Sequence, residues 1–390
     1  MDIDTVIAEV AAAVGLAEGE SGVRDVLRVI ARGEPVATSQ ISRQTELPVP
    51  IVAAVCGELR KRAVVDRTRP VRLTPLARER LNADRLGLDA VCDCCGGLGM
   101  RVPEQLADLA AELDEAAAGA PPARLELDQT HCTVRTKLHR LLRLHQAGAL
   151  GGKNIVLLGD DDLIAVAIAR FARVTGSAAA LGRLTVIDAD PAVLAWTADR
   201  TAQTGVTVEL VEHDLRLPLP AALNGSFDVA CTDPPYTVPG AELFLSRAVS
   251  ALNPRPGNDV FFSFGPRRPA EQLATQRLIA ALGLVVRSLT PNFNEYVGAG
   301  ILAGTSHLYH LRSTELTAPL IGDGYTGPLY TADSRTEQSR PYRCAGCGTV
   351  QLVGRATEPE PRWATIGELQ AAGCPQCGGT TFRPMPRRPR

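Results

Sequence analysis

From residue 154 onward, short apolar segments typical of β-strands recur along the chain, and helix-like segments separate the earlier ones. The strand-like segments cover residues 154–159, 183–188, 206–214, 227–233, 259–265, 284–291 and 306–313. Parallel neighbours in a sheet need a long crossover connection, which is usually a helix. The alternation therefore predicts an α/β domain over residues 126–315, with a seven-stranded, Rossmann-like sheet of the methyltransferase type and helices on both faces.

The first 90 residues carry a different pattern. Residues 21–33 have helical apolar spacing, a further helix is predicted from Ile51 to Lys61 after a turn, and residues 64–75 resemble a hairpin. This order predicts a winged-helix domain, a layout that reads a DNA groove in some proteins and packs against a neighbour in others. The basic residues of the second helix stand only at its end, so we favour packing or dimerisation and leave DNA reading open.

Residues 91–125 are predicted to form a cysteine-containing turn and a helical linker. Cys92 and Cys95 form a Cys-x-x-Cys pair, but zinc normally takes four ligands, and the near candidates are Cys94, His131 and Cys132. A glycine-rich turn with reduced thiols explains the pair equally well. We therefore assign no metal to it.

Composition limits the compartment and the partners. The chain has 41 basic and 43 acidic residues and a formal net charge of -2, which argues against a protein that coats nucleic acid but leaves a local basic face possible. The N-terminus is acidic, and no stretch reaches the roughly 18 apolar residues of a membrane-spanning helix. We expect a cytoplasmic protein, in which ten cysteines are reduced or bound to metal.

The C-terminal segment, residues 330–390, contains two further Cys-x-x-Cys pairs, each followed by glycine. Four thiolates at this spacing complete a tetrahedral zinc site of the structural kind. The pattern predicts a zinc ribbon whose ligands are Cys344, Cys347, Cys374 and Cys377. The basic end, RPMPRRPR, can be explained simply as a solvated tail.

Acidic residues follow the first predicted strand, in the sequence GDDDL that begins at Gly159. A phosphate-binding loop would have glycines here, because backbone N–H groups must approach the phosphate. Asp160, Asp161 and Asp162 would repel phosphate and attract a cation instead. One of them could serve only to cap the next helix, but that alternative leaves the other two unexplained.

The next two predicted strands also end in acids. Asp188 follows the second strand, where a carboxylate can accept hydrogen bonds from both hydroxyls of a ribose. Asp214 follows the third strand, where a carboxylate can accept from the exocyclic amine of adenine or cap a helix. Their order along the sheet favours the binding of a nucleoside.

The fourth predicted strand ends in the sequence FDVACTDPPYT. Proline has no N–H, so the carbonyls around Pro234 have no competing local donor and lie beside the carboxylate of Asp233. Such a group of acceptors can hold an amine, Asp233 can take the proton that the amine loses, and Tyr236 offers a flat face to a cation. A turn with structural prolines is the plainer alternative.

Taken together, GDDDL, VIDAD, HDLRLPLP, FDVACTDPPYT, GAELFL and FNEY resemble the branched-chain polyamine synthases, also called N(4)-bis(aminopropyl)spermidine synthases. The segment LDQTHCTVRTKLHR is similar to an Asp-Gln…Thr…Arg segment of that family. The likeness covers roughly residues 20–315. It implies a winged-helix domain, a Rossmann-like domain, a dimer, and transfer of aminopropyl from decarboxylated S-adenosylmethionine to the secondary amine of spermidine.

The resemblance also implies roles for individual residues. The three acids of GDDDL and Gly159 would bind the donor, with Asp188 on the ribose, Asp214 on the adenine and Pro234 beside them. Asp233 would accept the proton, and Asp161, Asp233, Tyr236 and Glu295 would contact the polyamine. Two features depart from the family: the pair His131–Cys132 and the cysteine-rich C-terminal extension.

Two other functions remain open at this point. An S-adenosylmethionine-dependent methyltransferase acting on amino groups of nucleic acid or protein could also use Asp-Pro-Pro-Tyr to orient its substrate. A transcription factor or ligand sensor could bind the nucleoside without turning it over. The sequence leaves undecided the acceptor amine, the number of aminopropyl groups added and the role of the ribbon.

Overall fold

The computed structural model describes residues 2–81, 98–265, 268–298, 304–330, 340–353, 363 and 366–385. Cys92 and Cys95 therefore lie outside the described residues. The chain forms two compact units. The first comprises Met1–Arg124, Gln129–Pro234 and Ala241–Tyr325, and the second comprises Leu125–Asp128, Pro235–Gly240 and Thr326–Arg390.

Five helices lie within the described residues 2–81 of the first unit: α1 (Ile3–Val14), α2 (Gly19–Gly33), α3 (Thr38–Thr45), α4 (Val49–Lys61) and α5 (Pro75–Arg80). In α2, four apolar residues spaced for one helical face, Val23, Val26, Leu27 and Ile30, are buried. They pack in one core with α1 and α4. Within the predicted hairpin one isolated bridge joins Val65 to Leu73, and a second bridge joins Val71 to Val36, which lies between α2 and α3.

Between residue 98 and the sheet, the structure describes two α-helices, α6 (Ala107–Ala118) and α7 (Val134–Gln146). The hydroxyl of Thr133 accepts a hydrogen bond from the N–H of Thr136 and so caps the start of α7. Most of α7 is buried, including the charged residues Lys137 and Arg140. The interpretation of the sequence did not include this helix.

The sheet of the first unit has seven strands: β1 (Ile155–Leu158), β2 (Leu184–Asp188), β3 (Val208–Glu212), β4 (Val229–Thr232), β5 (Asp259–Phe264), β6 (Leu284–Glu295) and β7 (Thr305–Ser313). Their order is β3-β2-β1-β4-β5-β7-β6. The first five are parallel, and β7 pairs antiparallel with both β5 and β6. The predicted α/β fold with a seven-stranded, mostly parallel sheet is confirmed.

Four helices accompany the sheet: α8 (Ile164–Val174), α9 (Pro191–Thr201), α10 (Val238–Ala251) and α11 (Pro269–Ala281). The strands β1 and β2 are buried along their whole length, as expected for parallel strands covered on both faces. The strand β6 extends to Glu295, four residues beyond the predicted end at residue 291. This extension brings the sequence FNEY to the end of the sheet that carries the acidic loops.

The second unit contains a three-stranded antiparallel sheet in the order β10-β8-β9, with β8 at Arg340–Cys344, β9 at Val350–Val353 and β10 at Phe382–Pro384. A helix, α12 (Ile366–Ala372), precedes the last strand. The small core of this unit consists of Cys344, Val353, Trp363, Leu369, Cys374 and Phe382.

None of the helices in the described ranges has the length and apolar character needed to cross a membrane.

Candidate active site

The acidic loops meet at one edge of the sheet because β1 and β4 are neighbours that run in the same direction. A pocket lies beyond their carboxyl ends, where ligands bind in open α/β sheets. Its lining comes from α7, from the loop after β1, from the end of β4 and from β5 and β7, and includes Arg140, Asp160, Asp161, Asp162 and Asp233.

Gly159 directly follows β1 and has a φ of +74°, a left-handed conformation that glycine adopts without strain. Asp160, which follows it, is buried and accepts hydrogen bonds from the N–H groups of Ile164 (2.7 Å) and Ala165 (3.0 Å) at the start of α8. Burial raises the pKa of Asp160 to about 7 despite these two donors. The helix-capping alternative thus describes the geometry of one of the three acids.

Asp161 and Asp162 have different partners. Asp161 accepts a hydrogen bond from the N–H of Thr130 (3.0 Å), and burial, together with the charges of Asp162, Asp233 and Asp188, raises its pKa well above the ordinary value. Burial also opposes ionisation of Asp162, but the positive charges of Arg140 and Lys137 outweigh it and hold the pKa of Asp162 below the ordinary value.

Arg140, on α7, joins the acidic loop to the ends of β4 and β6. Its Nη1 donates to Oδ2 of Asp162 (2.7 Å), and its Nη2 donates to Oδ2 of Asp233 (2.7 Å) and to the hydroxyl of Tyr296 (3.0 Å). Its Nε donates to Oδ1 of Asn294 (2.7 Å). A single buried guanidinium thus holds two carboxylates, an amide and a phenol.

Asp233 also accepts a hydrogen bond from the hydroxyl of Tyr296, at 2.6 Å. This hydroxyl is 2.8 Å from Oγ of Ser306 on β7. Burial raises the pKa of Asp233, the charge of Arg140 opposes that rise, and the charge of Asp162 adds to it. The net direction is upward, so Asp233 takes up a proton at a higher pH than an exposed aspartate does.

Lys137 lies behind the acidic loop, one helical turn before Arg140. Its side chain is 1 % exposed, and its Nζ donates to the backbone carbonyl of Asp162 and lies 3.7 Å from Sγ of Cys132. Burial raises the pKa of the Cys132 thiol, so Cys132 is neutral. Among the described residues that line the pocket, four are aspartates and one, Arg140, is a cation.

The two acids assigned to a nucleoside lie at the ends of β2 and β3. Asp188 is buried, accepts from the N–H groups of Asp160 (2.9 Å) and Asp190 (2.8 Å), and has its pKa raised by burial. Asp214 is exposed and accepts from the N–H of Arg216 at 2.9 Å. The N–H of His213 donates to the carbonyl of Asp188 (3.0 Å), which places the two chain segments side by side.

The remaining predicted residues are placed as follows. Pro234 is buried directly after Asp233. Tyr236 is half-buried and belongs to the second unit. Glu295 lies in β6, and its Oε1 accepts a hydrogen bond from Nη1 of Arg43 on α3 at 2.9 Å.

Successive side chains of a strand point to opposite faces, and β6 follows this rule at its end. Asn294 and Tyr296 reach Arg140, whereas Glu295 between them pairs with Arg43. The backbone of Glu295 is fixed to the start of α7, where its carbonyl accepts from the N–H of Thr133 (2.8 Å). The role of Glu295 in acceptor binding stays a prediction.

The interpretation of the sequence missed four residues of the site: Lys137, Arg140, Asn294 and Tyr296. All four were within the two segments LDQTHCTVRTKLHR and FNEY that carried the family resemblance. A signal was available in the first segment, because Lys137 and Arg140 lie at helical spacing on one face with Thr133 and are buried with the leucines of the same helix. Charged residues on a buried helical face need partners of opposite charge.

The pair His131–Cys132 holds the acidic loop in place. The ring nitrogens of His131 lie 2.8 Å from the carbonyl oxygens of Asp161 and Pro121. The N–H of Cys132 donates to Oδ1 of Asp162 at 2.5 Å. The ring contacts of His131 give its polar side chain a structural role, and within the described ranges the pair belongs to no group of potential metal ligands.

The four C-terminal cysteines are the single group of three or more potential metal ligands within the described ranges. Their sulfur atoms all lie within 4.8 Å of one another. Sγ of Cys344 is 3.6 Å from Sγ of Cys377, and Cys347 and Cys374 are separated by the same distance. Four thiol groups this close could hold a metal ion.

Three curated relatives illustrate the similarity. An uncharacterized protein of Methanocaldococcus jannaschii is 33% identical over 95% of this chain and 90% of its own length. An N(4)-bis(aminopropyl)spermidine synthase of the same organism is 28% identical over 66% of this chain and 72% of its own. A synthase of the same name from Thermococcus kodakarensis is 29% identical over 67% of this chain and 74% of its own.

A crystal structure of a C9 mutein of the branched-chain polyamine synthase from Thermus thermophilus, in complex with N4-aminopropylspermidine and 5'-methylthioadenosine, superimposes with a TM-score of 0.67. The two sequences are 25% identical, and the match covers 85% of this chain and 97% of that one. Residues 108–316 match the family described as the branched-chain polyamine synthase A C-terminal domain. This match spans more than half of the chain and confirms the resemblance found in the sequence, so the chain belongs to the branched-chain polyamine synthase family.

Proposed function

We propose that the chain is an aminopropyltransferase that moves aminopropyl from decarboxylated S-adenosylmethionine to a secondary amine of spermidine or a related polyamine. The products are a branched polyamine and methylthioadenosine. The observation that carries the proposal is the set of four aspartates around one pocket, beside the buried cation Arg140. The named relatives and the ligands of the Thermus structure support the same reaction.

The charge of the pocket matches these substrates. The decarboxylated donor carries a sulfonium and an ammonium group but no carboxylate, and the acceptor is a polycation. Burial and mutual repulsion raise the pKa values of Asp160, Asp161 and Asp233, so these groups gain most from a cation that enters the pocket. A ligand with its own carboxylate would meet repulsion there.

The residues along this edge of the sheet are assigned to different parts of the two substrates. Gly159, Asp160, Asp162 and Pro234 form the wall of the donor site, and Asp161 holds its cationic end. Asp188 accepts from the ribose hydroxyls, and Asp214 from the adenine amine. For the acceptor, Tyr236 supplies an aromatic face, and Glu295 binds a distal ammonium in exchange for Arg43.

The reaction is a direct displacement. The acceptor nitrogen gives up its proton to Asp233, and its lone pair forms a bond to the aminopropyl carbon next to the sulfonium. The carbon–sulfur bond breaks, and sulfur keeps the electron pair and becomes a neutral thioether. Holding the two substrates in line supplies much of the rate, and no covalent enzyme intermediate is needed.

Product analysis tests this function. Purified protein should convert decarboxylated S-adenosylmethionine and spermidine into methylthioadenosine and a product heavier by one or two aminopropyl groups, as read by mass spectrometry. A panel of polyamines identifies the acceptor in the same experiment. Methylated product from ordinary S-adenosylmethionine, with no aminopropyl transfer, would replace the proposal with the methyltransferase alternative.

The N-terminal helices are proposed to form a winged-helix domain that serves packing. Three contacts of α3 and the turn after it support this role. Arg43 pairs with Glu295, its carbonyl accepts from Nδ2 of Asn292 (2.6 Å), and Oε2 of Glu46 accepts from Nε2 of Gln272 (3.3 Å). These residues would be unavailable to a DNA groove while the contacts hold. The family resemblance further implies a homodimer.

The C-terminal cysteines are proposed to bind one structural zinc and to form a zinc ribbon. The four ligands close the coordination sphere, so the metal would stabilise the fold of this unit and take no part in catalysis. The antiparallel sheet and core next to Cys344 and Cys374 support this proposal.

Metal analysis should therefore find about one zinc per chain beyond any bound at Cys92 and Cys95. Replacing Cys374 with Ser should remove this zinc and make the C-terminal unit sensitive to protease, while much of the transferase activity remains. Cys56→Ala, a change in a buried residue of the N-terminal core, should leave the zinc content as it was. A fully active wild type that contains no metal would contradict the prediction.

A further inference from the structure

Arg140 and Tyr296 contact the proposed proton acceptor directly, and the mechanism above gives them no role. Both bind the same oxygen of Asp233: Nη2 of Arg140 donates to Oδ2 at 2.7 Å, and the hydroxyl of Tyr296 donates to Oδ2 at 2.6 Å. The other oxygen, Oδ1, accepts no hydrogen bond from the described residues, and Asp233 lines the pocket. One oxygen of the carboxylate, Oδ2, is fixed, and the other, Oδ1, is open to a ligand.

The two donors are themselves held in place. Nε of Arg140 donates to Oδ1 of Asn294 (2.7 Å), and Nδ2 of Asn294 donates to Oγ of Ser263 (3.1 Å) and Oγ of Ser306 (2.9 Å). All of these side chains are buried or nearly so. A buried side chain with several fixed partners keeps one rotamer, so it can position the group that it binds.

We propose that Arg140 and Tyr296 are positioning residues that hold Oδ2 of Asp233 and thereby present Oδ1 to the nitrogen of the acceptor amine. This inference rests on the proposed function and extends it to residues that have no assigned part in the reaction. The neutral amine donates its N–H to Oδ1 while its lone pair attacks the aminopropyl carbon. The carbon–sulfur bond breaks, and the nitrogen, which becomes positively charged as the new bond forms, releases its proton to Oδ1. Sulfur loses its positive charge and Asp233 loses its negative charge, so the total charge is unchanged.

The charges around Asp233 make the inference testable through pH. The facing groups are Arg140 from α7, Asp161 and Asp162 from the loop after β1, and Tyr296 from the end of β6. Burial and Asp162 raise the pKa of Asp233, whereas Arg140 and the hydrogen bond from Tyr296 lower it. Removing either donor therefore raises this pKa further, and a higher pH is needed before Asp233 is ionised.

The first test is Tyr296→Phe, which removes one hydrogen bond and keeps the ring. The acidic limb of the profile of kcat against pH should move to higher pH, and kcat at neutral pH should fall about tenfold, with a smaller loss at alkaline pH. The KM for the donor should change less than twofold. Tyr309→Phe, in the buried part of β7, is the matched control and should leave the profile unchanged.

Arg140→Lys is the second test, because lysine keeps a positive charge but cannot span four partners. Its acidic limb should move in the same direction as that of Tyr296→Phe, with a larger loss of kcat. Thermal melting measured alongside separates this effect from unfolding. An unmoved acidic limb in Tyr296→Phe, or an equal loss at every pH, would overturn the inference.

A direct titration keeps this inference separate from the proposed function. Carboxyl ¹³C NMR of aspartate-labelled protein, with the Asp233 signal assigned by its absence from Asp233→Asn, reads the ionisation of Asp233 without any substrate. Its midpoint should be higher in Tyr296→Phe than in wild type. An inactive wild type with this shift would refute the aminopropyl transfer alone, whereas an active wild type without it would refute the positioning role alone.

Discussion

Replacing Asp233 with Asn is expected to lower the turnover rate by roughly two to four powers of ten while the affinity for the donor changes little. Asparagine keeps the shape of the side chain and a hydrogen-bond acceptor but cannot take up a proton. Because burial raises the pKa of Asp233, wild-type turnover should also fall as the pH drops, beginning at a higher pH than for an exposed aspartate.

Asp228→Asn is the matched control for this substitution. Asp228 immediately precedes β4 and Asp233 immediately follows it, so the two carboxylates lie at opposite ends of the strand. Oδ2 of Asp228 accepts from the N–H of Asn154 (2.9 Å), a structural contact away from the pocket. This variant should keep wild-type turnover. Full activity in Asp233→Asn would remove Asp233 as the base.

The second large effect concerns the choice of donor. Wild type should use decarboxylated S-adenosylmethionine at least ten to a hundred times more efficiently than ordinary S-adenosylmethionine, because a donor carboxylate would meet the acids of the loop after β1. Replacing Asp161 with Asn should weaken this preference by about tenfold. Competition between the two donors for one enzyme sample measures it directly.

The same preference should depend on pH. Burial and neighbouring carboxylates raise the pKa of Asp161, so Asp161 is neutral at low pH and becomes an anion only as the pH rises through that value. Discrimination should therefore increase with pH in wild type and increase less in Asp161→Asn, where Asp160 still titrates. Asp199→Asn, at an exposed position on α9, should behave as wild type. Faster methyl transfer from the ordinary donor would refute the assignment.

The sheet was predictable because its strands are short, apolar and separated by helices, a pattern that follows from burial on both faces. The apolar pattern was less informative in helix α7 and at the end of β6. Helix α7 carries Lys137 and Arg140 on its buried face, which breaks the apolar period that marks a core helix. The end of β6 is mostly polar, with Asn292, Asn294 and Glu295 around the single apolar Phe293, so its strand character comes mainly from pairing with β7.

The candidate site was predictable in its acids and not in its cations. Acids at strand ends lie together because parallel strands end at one edge, which the order of motifs along the chain reveals. Which of three consecutive aspartates caps a helix depends on the turn at Leu163, whose φ of 55° the sequence does not announce. Arg140 and Asp233 are 93 positions apart, and only the folded sheet brings them into contact.

The separations between Arg140 and its partners have a consequence for how the enzyme matures. Its four partners lie 22, 93, 154 and 156 residues further along the chain, so each contact closes a loop of a different size. Contacts between distant residues form late, because the entropy of loop closure must be overcome first. A chain still being synthesised can therefore pair Arg140 with Asp162 early, but it lacks the contacts of Arg140 with Asn294 and Tyr296 until β6 has emerged and joined the sheet. Activity should appear together with the complete sheet. A shorter fragment that lacks β6 should have no activity.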